Sequence, residues 1–215
     1  MAAKAKPGTD IYQLRAVLCG ISPLIWRRVL VRAESTVAEL HEVLQVAFGW
    51  ADMHLNRFEI RGREYGVYRD GGPLFATDAR EVRLCDLNLR RLERFVYEYD
   101  FGDMWVHDIR LEAMLALDPS KIYPLCVGGK CTAPPEDCGG PYAFMAKRRR
   151  SGAATRKSRR GIDEWDDDLD EEASVAESRY HTDRFDQRQV NRALALLASG
   201  SYDGALDEIH NSATD

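Results

Sequence analysis

The sequence predicts an α+β fold: a β-β-α-β-β-β core whose mixed or antiparallel sheet packs on one helix, with a second helix docked from the C-terminus. Three observations predict it. Alternating apolar and polar runs flank one well-punctuated amphipathic stretch at 36–49. RFVYEYDFGDMWVHDIRLEAML alternates on both sides of a Gly-Asp turn. Periodic patterning then stops after residue 142 and returns once, in RFDQRQVNRALALLASG.

The elements follow in order. IYQLRAVLCG alternates as a strand, and Ser22-Pro23 breaks it. LIWRRVLVRA reads as the return strand, with Ile25, Arg27, Val29 and Val31 on one face and Trp26, Arg28 and Leu30 on the other. Thr36 and Glu39 then form a T-x-x-E capping box, Val37, Leu40, Leu44, Ala47 and Phe48 share a helical face, and Gly49 ends the helix. His41 sits at the edge of that face. MHLNRFEIRGREYGVY reads as a strand, a turn at Gly62 and a short return, and RDGGPLFATDAREVRLCDLNL as connection. In the hairpin, Phe95, Tyr97 and Tyr99 alternate with Val96, Glu98 and Asp100, and Trp105, His107, Ile109 and Leu111 continue on one face. Near the end, Asp186 caps a helix with Gln189 three residues on, Phe185 staples onto Val190, and Val190, Leu194 and Leu197 form the buried stripe, closed by Gly200.

Composition sets limits. The chain has 215 residues, 45% of them hydrophobic, enough for one substantial core, and its net charge of −5 gives no global attraction to nucleic acid or to an anionic membrane. No apolar run approaches the roughly 20 residues that span a bilayer. MAAKAKPGTD lacks the apolar core of a secretory signal and reads as a disordered leader. Five cysteines, an odd number, without such a signal point to a reducing, cytoplasmic setting. Eight basic residues and no acidic ones fall between Lys147 and Arg160; eight acidic and no basic ones fall between Asp163 and Glu172. Neither block has a face to bury, so both read as flexible chain. The expected organisation is a leader at 1–10, a core domain at 11–142 ending in a Cys-rich loop, a charged linker at 143–182, a helix at 183–200 and a tail at 201–215.

The motifs IWRRVLV, LHEVLQVAFGWADMHLNRFEI, YEYDFGDMWVHDI, CVGGKCTAPPEDCGG and FDQRQVNRAL together resemble the Ri-plasmid open-reading-frame-three-like family. Its members are carried as passengers of insertion elements, sometimes under a TnpR-like label. The resemblance runs from about Tyr12 to Gly140 and resumes near Phe185. It implies an α+β domain and an association with plasmids or mobile DNA. The resolvase-like label implies a serine recombinase, and the sequence departs from that. It has no N-terminal nucleophilic-serine motif and no helix-turn-helix with a basic recognition helix. The Lys147–Glu172 stretch also departs from the family, where a more regular acidic helix is expected.

Two clusters carry candidate chemistry. Cys126, Cys131 and Cys138 fall within thirteen residues of a Gly/Pro-rich loop. With His107, on the strand that leads into the loop, they make a candidate zinc (Zn2+) set, although only the first spacing fits the usual C-x₂₋₄-C pairing. The alternative is that these thiols are buried packing groups. Asp100, Asp103 and Asp108 around the hairpin, with Glu136 and Asp137 beside the cysteines, form a second candidate site; turn stabilisation is their alternative role. A nucleophilic cysteine would need His107 as its base and has no third, orienting residue. The expected function is therefore a non-enzymatic binding or accessory module with a protein or nucleic-acid partner. Weak non-specific DNA contact through Lys147–Arg160 is expected, and no membrane. A small metal-dependent enzyme is the alternative.

Overall fold

The computed structural model describes residues 10–69, 72–158 and 184–211, with residues 151–158 and 211 as backbone. The two strands of the first hairpin, β1 (Ile11–Leu18) and β2 (Trp26–Arg32), form as their alternation predicts. Helix α1 (Val37–Phe48) carries the full capping box: the Thr36 hydroxyl accepts from Glu39 N at 3.0 Å, and Glu39 accepts from Thr36 N at 2.6 Å. Gly49 closes the helix in the left-handed conformation, φ 77°, which a side chain would disfavour.

The sheet is larger than the sequence predicts. β3 (Asn56–Ile60), β4 (Arg63–Gly66), a two-residue β5 (Thr77–Asp78), β6 (Arg94–Tyr99), β7 (Trp105–Leu115) and β8 (Leu125–Lys130) complete the order β5-β4-β3-β6-β7-β1-β2-β8. Every pairing is antiparallel except β4 with β5, so the sheet is mixed and the α+β class holds. β8 lies inside the stretch that reads as an irregular loop. Its Gly128-Gly129 pair hides it, because glycine is a poor strand former. The structure shows why glycine stands there: a Cβ on Gly129 would lie 2.4 Å from the Phe185 ring.

Helices lie over one face of the sheet. α2 (Gly140–Ser158) follows the cysteine loop; α3 (Gln187–Ala198) and α4 (Tyr202–Asn211) pack on each other, on α1 and, through α3, on β8. α3 begins at Asp186, which accepts from Arg188 N at 2.9 Å and Gln189 N at 3.0 Å, and buries Val190, Ala193 and Leu194. The Asn191 amide faces β8, with Oδ1 accepting from Cys126 N at 2.7 Å and Nδ2 donating to Cys126 O at 2.9 Å. Two stretches differ from the expected organisation. The backbone is helical to Ser158 where a linker is expected from 143, and the remainder of that linker lies outside the described residues. The expected tail at 201–215 contains α4, whose Tyr202, Ala205, Leu206 and Ile209 line one helical face and pack on the core.

The core joins Leu14, Ala16 and Leu18 of β1, Val29 and Val31 of β2, the apolar face of α1, and Phe95, Tyr97, Tyr99, Trp105, Ile109 and Leu111 of the long hairpin. One polar chain runs through it. Gln45 donates to Tyr97 OH at 2.9 Å, Tyr97 OH lies 2.7 Å from His41 Nδ1, and His41 Nε2 lies 2.9 Å from Asp52 Oδ1. His41 is thus a satisfied core histidine. Asp52 is pushed up by burial, but the bonds and charges of His41 and Arg69 outweigh that and hold it below the usual carboxylate range.

Candidate metal centre

Three loops meet at the end of β6: residues 50–54 after α1, the 100–104 turn of the hairpin, and residues 133–139 before α2. Their meeting is fixed by named bonds. Trp50 Nε1 donates to Pro134 O at 2.9 Å, and Ala51 N donates to Glu136 Oε2 at 3.0 Å. Tyr99 OH donates to Glu136 Oε1, and Gly139 N donates to Asp103 Oδ2 at 3.0 Å. Burial and the Glu136 carboxylate together push the Tyr99 phenol far up, so it stays a neutral donor.

Where the loops converge, His54, Asp100 and Asp137 each point a ligand atom inward, all within 4.8 Å of one another. His54 Nε2 lies 3.3 Å from Asp137 Oδ1 and 3.7 Å from Asp100 Oδ2. That nitrogen is buried and makes no hydrogen bond. Asp100 Oδ1 accepts from Gly102 N at 2.9 Å and Asp103 N at 3.3 Å, which orients its carboxylate. Both aspartates sit in the left-handed region, Asp100 at φ 57° and Asp137 at φ 55°. Non-glycine residues are uncommon there, and their clustering marks backbone held in place by its surroundings.

The other candidates are placed as follows. Glu136 is spent on Tyr99 and Ala51, Asp103 on Gly139, and Asp108 lies on the opposite face of the sheet, paired with Arg94. Cys126, Cys131, Cys138 and His107 do not gather into a ligand set of the kind His54, Asp100 and Asp137 form, which corrects the zinc expectation at those residues. The reason is the sheet order. His107 is on β7 and Cys126 on β8; consecutive in sequence, they are separated in the sheet by β1 and β2, about 14 Å at the usual strand spacing. His107 is buried among Phe48, Trp50 and Tyr97, with ring centroids 4.6, 5.2 and 5.1 Å away. Its Nδ1 lies 3.3 Å from Tyr97 O, and burial lowers its pKa to about 3.

The thiols have other neighbours. Arg27 is buried beside Cys126 and Cys131. It donates to the Ala47, Trp26 and Lys130 carbonyls at 2.7, 2.8 and 3.1 Å and lies under the Phe185 ring at 4.1 Å. Burial lowers its pKa to about 10, while the two thiols act to raise it. Burial and Asp103 push the Cys138 thiol up to about 11. Burial likewise raises Cys126. His54 is the member of this cluster that sequence reasoning misses. It reads as the start of a strand, and its only signal is a histidine in the loop that leaves a capped helix.

Comparison with known proteins places the chain. The family model for plasmid pRiA4b ORF-3-like proteins matches residues 10–189. The chain belongs to this family. Among curated relatives, the uncharacterized protein y4hQ of Sinorhizobium fredii (strain NBRC 101917 / NGR234) is 36% identical over 141 residues, covering 63% of this chain and 70% of y4hQ. Among solved structures, the crystal structure of MM3350 from Methanosarcina mazei Go1, a protein of unknown function, superposes with a TM-score of 0.65 at 27% identity, over 83% of this chain and 96% of that one. In this pRiA4b ORF-3-like protein, no described helix is long and apolar enough to cross a membrane.

Proposed function

We propose that this family member is a binding module whose domain holds one divalent metal ion, such as Zn2+, at His54, Asp100 and Asp137. The observation that carries the reading is the buried His54 Nε2, with no hydrogen-bond partner, aimed between two carboxylates. Without a cation, such a nitrogen loses a hydrogen bond on burial; with one, it is a ligand. One imidazole and two carboxylates suit zinc or manganese, with water filling the remaining positions. The ion would tie the post-helix loop, the hairpin turn and the pre-α2 loop together.

One observation favours the enzyme alternative: the Asp137 side chain is 78% exposed, so the open positions face solvent. Three protein ligands plus water is the pattern of catalytic rather than closed structural zinc. Metal analysis after dialysis against zinc or manganese tests the site. One equivalent per chain is expected, and His54→Ala and Asp100→Asn should each weaken retention at least about tenfold. Retention that ignores these changes but follows Cys126→Ser or Cys138→Ser would overturn the assignment. Hydrolysis of simple ester or phosphodiester substrates by the loaded protein, lost with Asp100→Asn, would move the reading from module to enzyme.

A further inference from the structure

The face of the sheet turned away from α1 carries an arrangement that the metal centre does not use. In the strand register, Arg94 of β6 pairs with Arg110 of β7, Arg110 with Arg15 of β1, and Arg15 with Arg28 of β2. Paired residues project to the same side, so four arginines stand in one row across four adjacent strands, about 14 Å from end to end. The outer two are neutralised. Arg94 pairs with Asp108, and Arg28 with Glu112 at 2.6 Å. The inner two make no direct ion pair among the described residues, although the Glu112 carboxylate is close enough to feel the charge of Arg15, and the Nε of Arg15 and of Arg110 is buried without a hydrogen-bond partner.

Such a row costs stability. Like charges directly opposite each other on neighbouring strands repel, and a buried donor left unmade loses its bond to water. The main core lies on the other face, and the arginine side holds a small separate apolar cluster around Leu30. The row also stands out against a chain of net charge −5. The neighbouring row, two residues along each strand, holds Val96, Asp108, Val17, Trp26 and Lys130. Trp26 leans toward the arginines, its ring 4.9 Å from the Arg15 guanidinium and 5.2 Å from that of Arg28.

We propose that this sheet face binds single-stranded nucleic acid, with Arg15 and Arg110 on consecutive phosphates and the Val17–Trp26 row beneath the bases. Three features select this partner. A line of forks suits a chain of phosphates better than one small anion, because each guanidinium offers paired donors to a phosphate. An aromatic beside the row supplies a stacking surface that tolerates any base. A broad open sheet has the shape of a single-strand platform, whereas the major groove of a duplex admits a helix or a two-stranded ribbon. The site is separate from the metal centre and does not depend on it.

Fluorescence anisotropy of the full chain with labelled 20-nucleotide RNA and DNA strands tests this. The wild type should bind at low salt, and the RNA and DNA arms show which sugar is preferred. Arg15→Gln with Arg110→Gln should weaken binding at least about tenfold and lower the salt-dependence slope by about 1.4, at about 0.7 for each single-strand phosphate contact. Arg15→Lys with Arg110→Lys should bind within a few-fold of wild type, and His54→Ala should bind as wild type. Thermal unfolding should show the glutamine variant at least as stable as the parent, because repulsion is relieved. No binding by the wild type at low salt, equal binding by the glutamine variant, or equal affinity for a duplex of the same length would overturn the proposal. So would displacement of the strand by polyglutamate at matched charge, which would assign the face to acidic protein.

Discussion

Acidification gives the sharpest test of the packing. His107 is enclosed by Phe48, Trp50 and Tyr97, and burial depresses its pKa from 6.5 to about 3, against the smaller opposing effect of the Tyr97 and Trp105 backbone. In the unfolded chain it titrates normally. Between pH 6.5 and 3 the unfolded state therefore binds a proton that the folded state refuses, so stability falls as pH falls through this window and is unaffected above it. At about 1.4 kcal/mol per pH unit, the loss reaches about 2 kcal/mol at pH 5 and at most about 5 kcal/mol near pH 3. Urea unfolding at pH 7, 6 and 5 measures it. Other carboxylates and histidines titrate too, so the comparison is with His107→Phe, which keeps an aromatic ring in the pocket. That variant loses the bond to Tyr97 O and starts lower, but its stability should fall by about 2 kcal/mol less between pH 7 and pH 5. Parallel pH profiles for the two proteins would show that His107 takes up its proton inside the fold, and the burial argument would fail.

Other outcomes follow from single contacts. Thr36→Ala removes the capping box on α1 and should cost about 1 kcal/mol, read as a lower urea midpoint at unchanged slope. Gly140→Ala would set a Cβ 2.5 Å from Asp103 O at φ 75°; it should cost at least about 2 kcal/mol and weaken metal retention by shifting the Asp137 loop. Gly129→Ala would displace the Phe185 ring from over Arg27, and hydrogen exchange should then rise in α3 while α1 stays protected.

Sequence periodicity reveals elements whose own residues carry the pattern. α1 announces itself by Thr36, Glu39 and Gly49, and β6 and β7 by the aromatic alternation that ends up buried. β8 does not, because its glycine pair weakens the strand pattern, and Gly129 is needed to admit the Phe185 ring from elsewhere in the chain. α4 is too short and polar for its stripe to stand out. The candidate metal site is half legible: Asp100 and Asp137 are conspicuous among turn residues, but His54 joins them only through the folding of three loops. The cysteine cluster misleads for the converse reason. Nearness in sequence to β7 says nothing about a sheet in which two earlier strands fill the space between β7 and β8. The arginine row is invisible in the sequence, because it exists only across the register of four strands.

Asn191 has a consequence for how the molecules behave toward one another. A sheet stops growing where its last strand finds no further peptide groups to bond. At Cys126 the last strand does find them, in a side chain: one amide offers an acceptor and a donor in the places a neighbouring backbone would fill. β8 is therefore already answered at that residue, and a strand from a second molecule cannot add there without first lifting α3 away. The helix that completes the core thus also occupies this point of the sheet edge, and loosening it would free the Cys126 peptide groups for another strand.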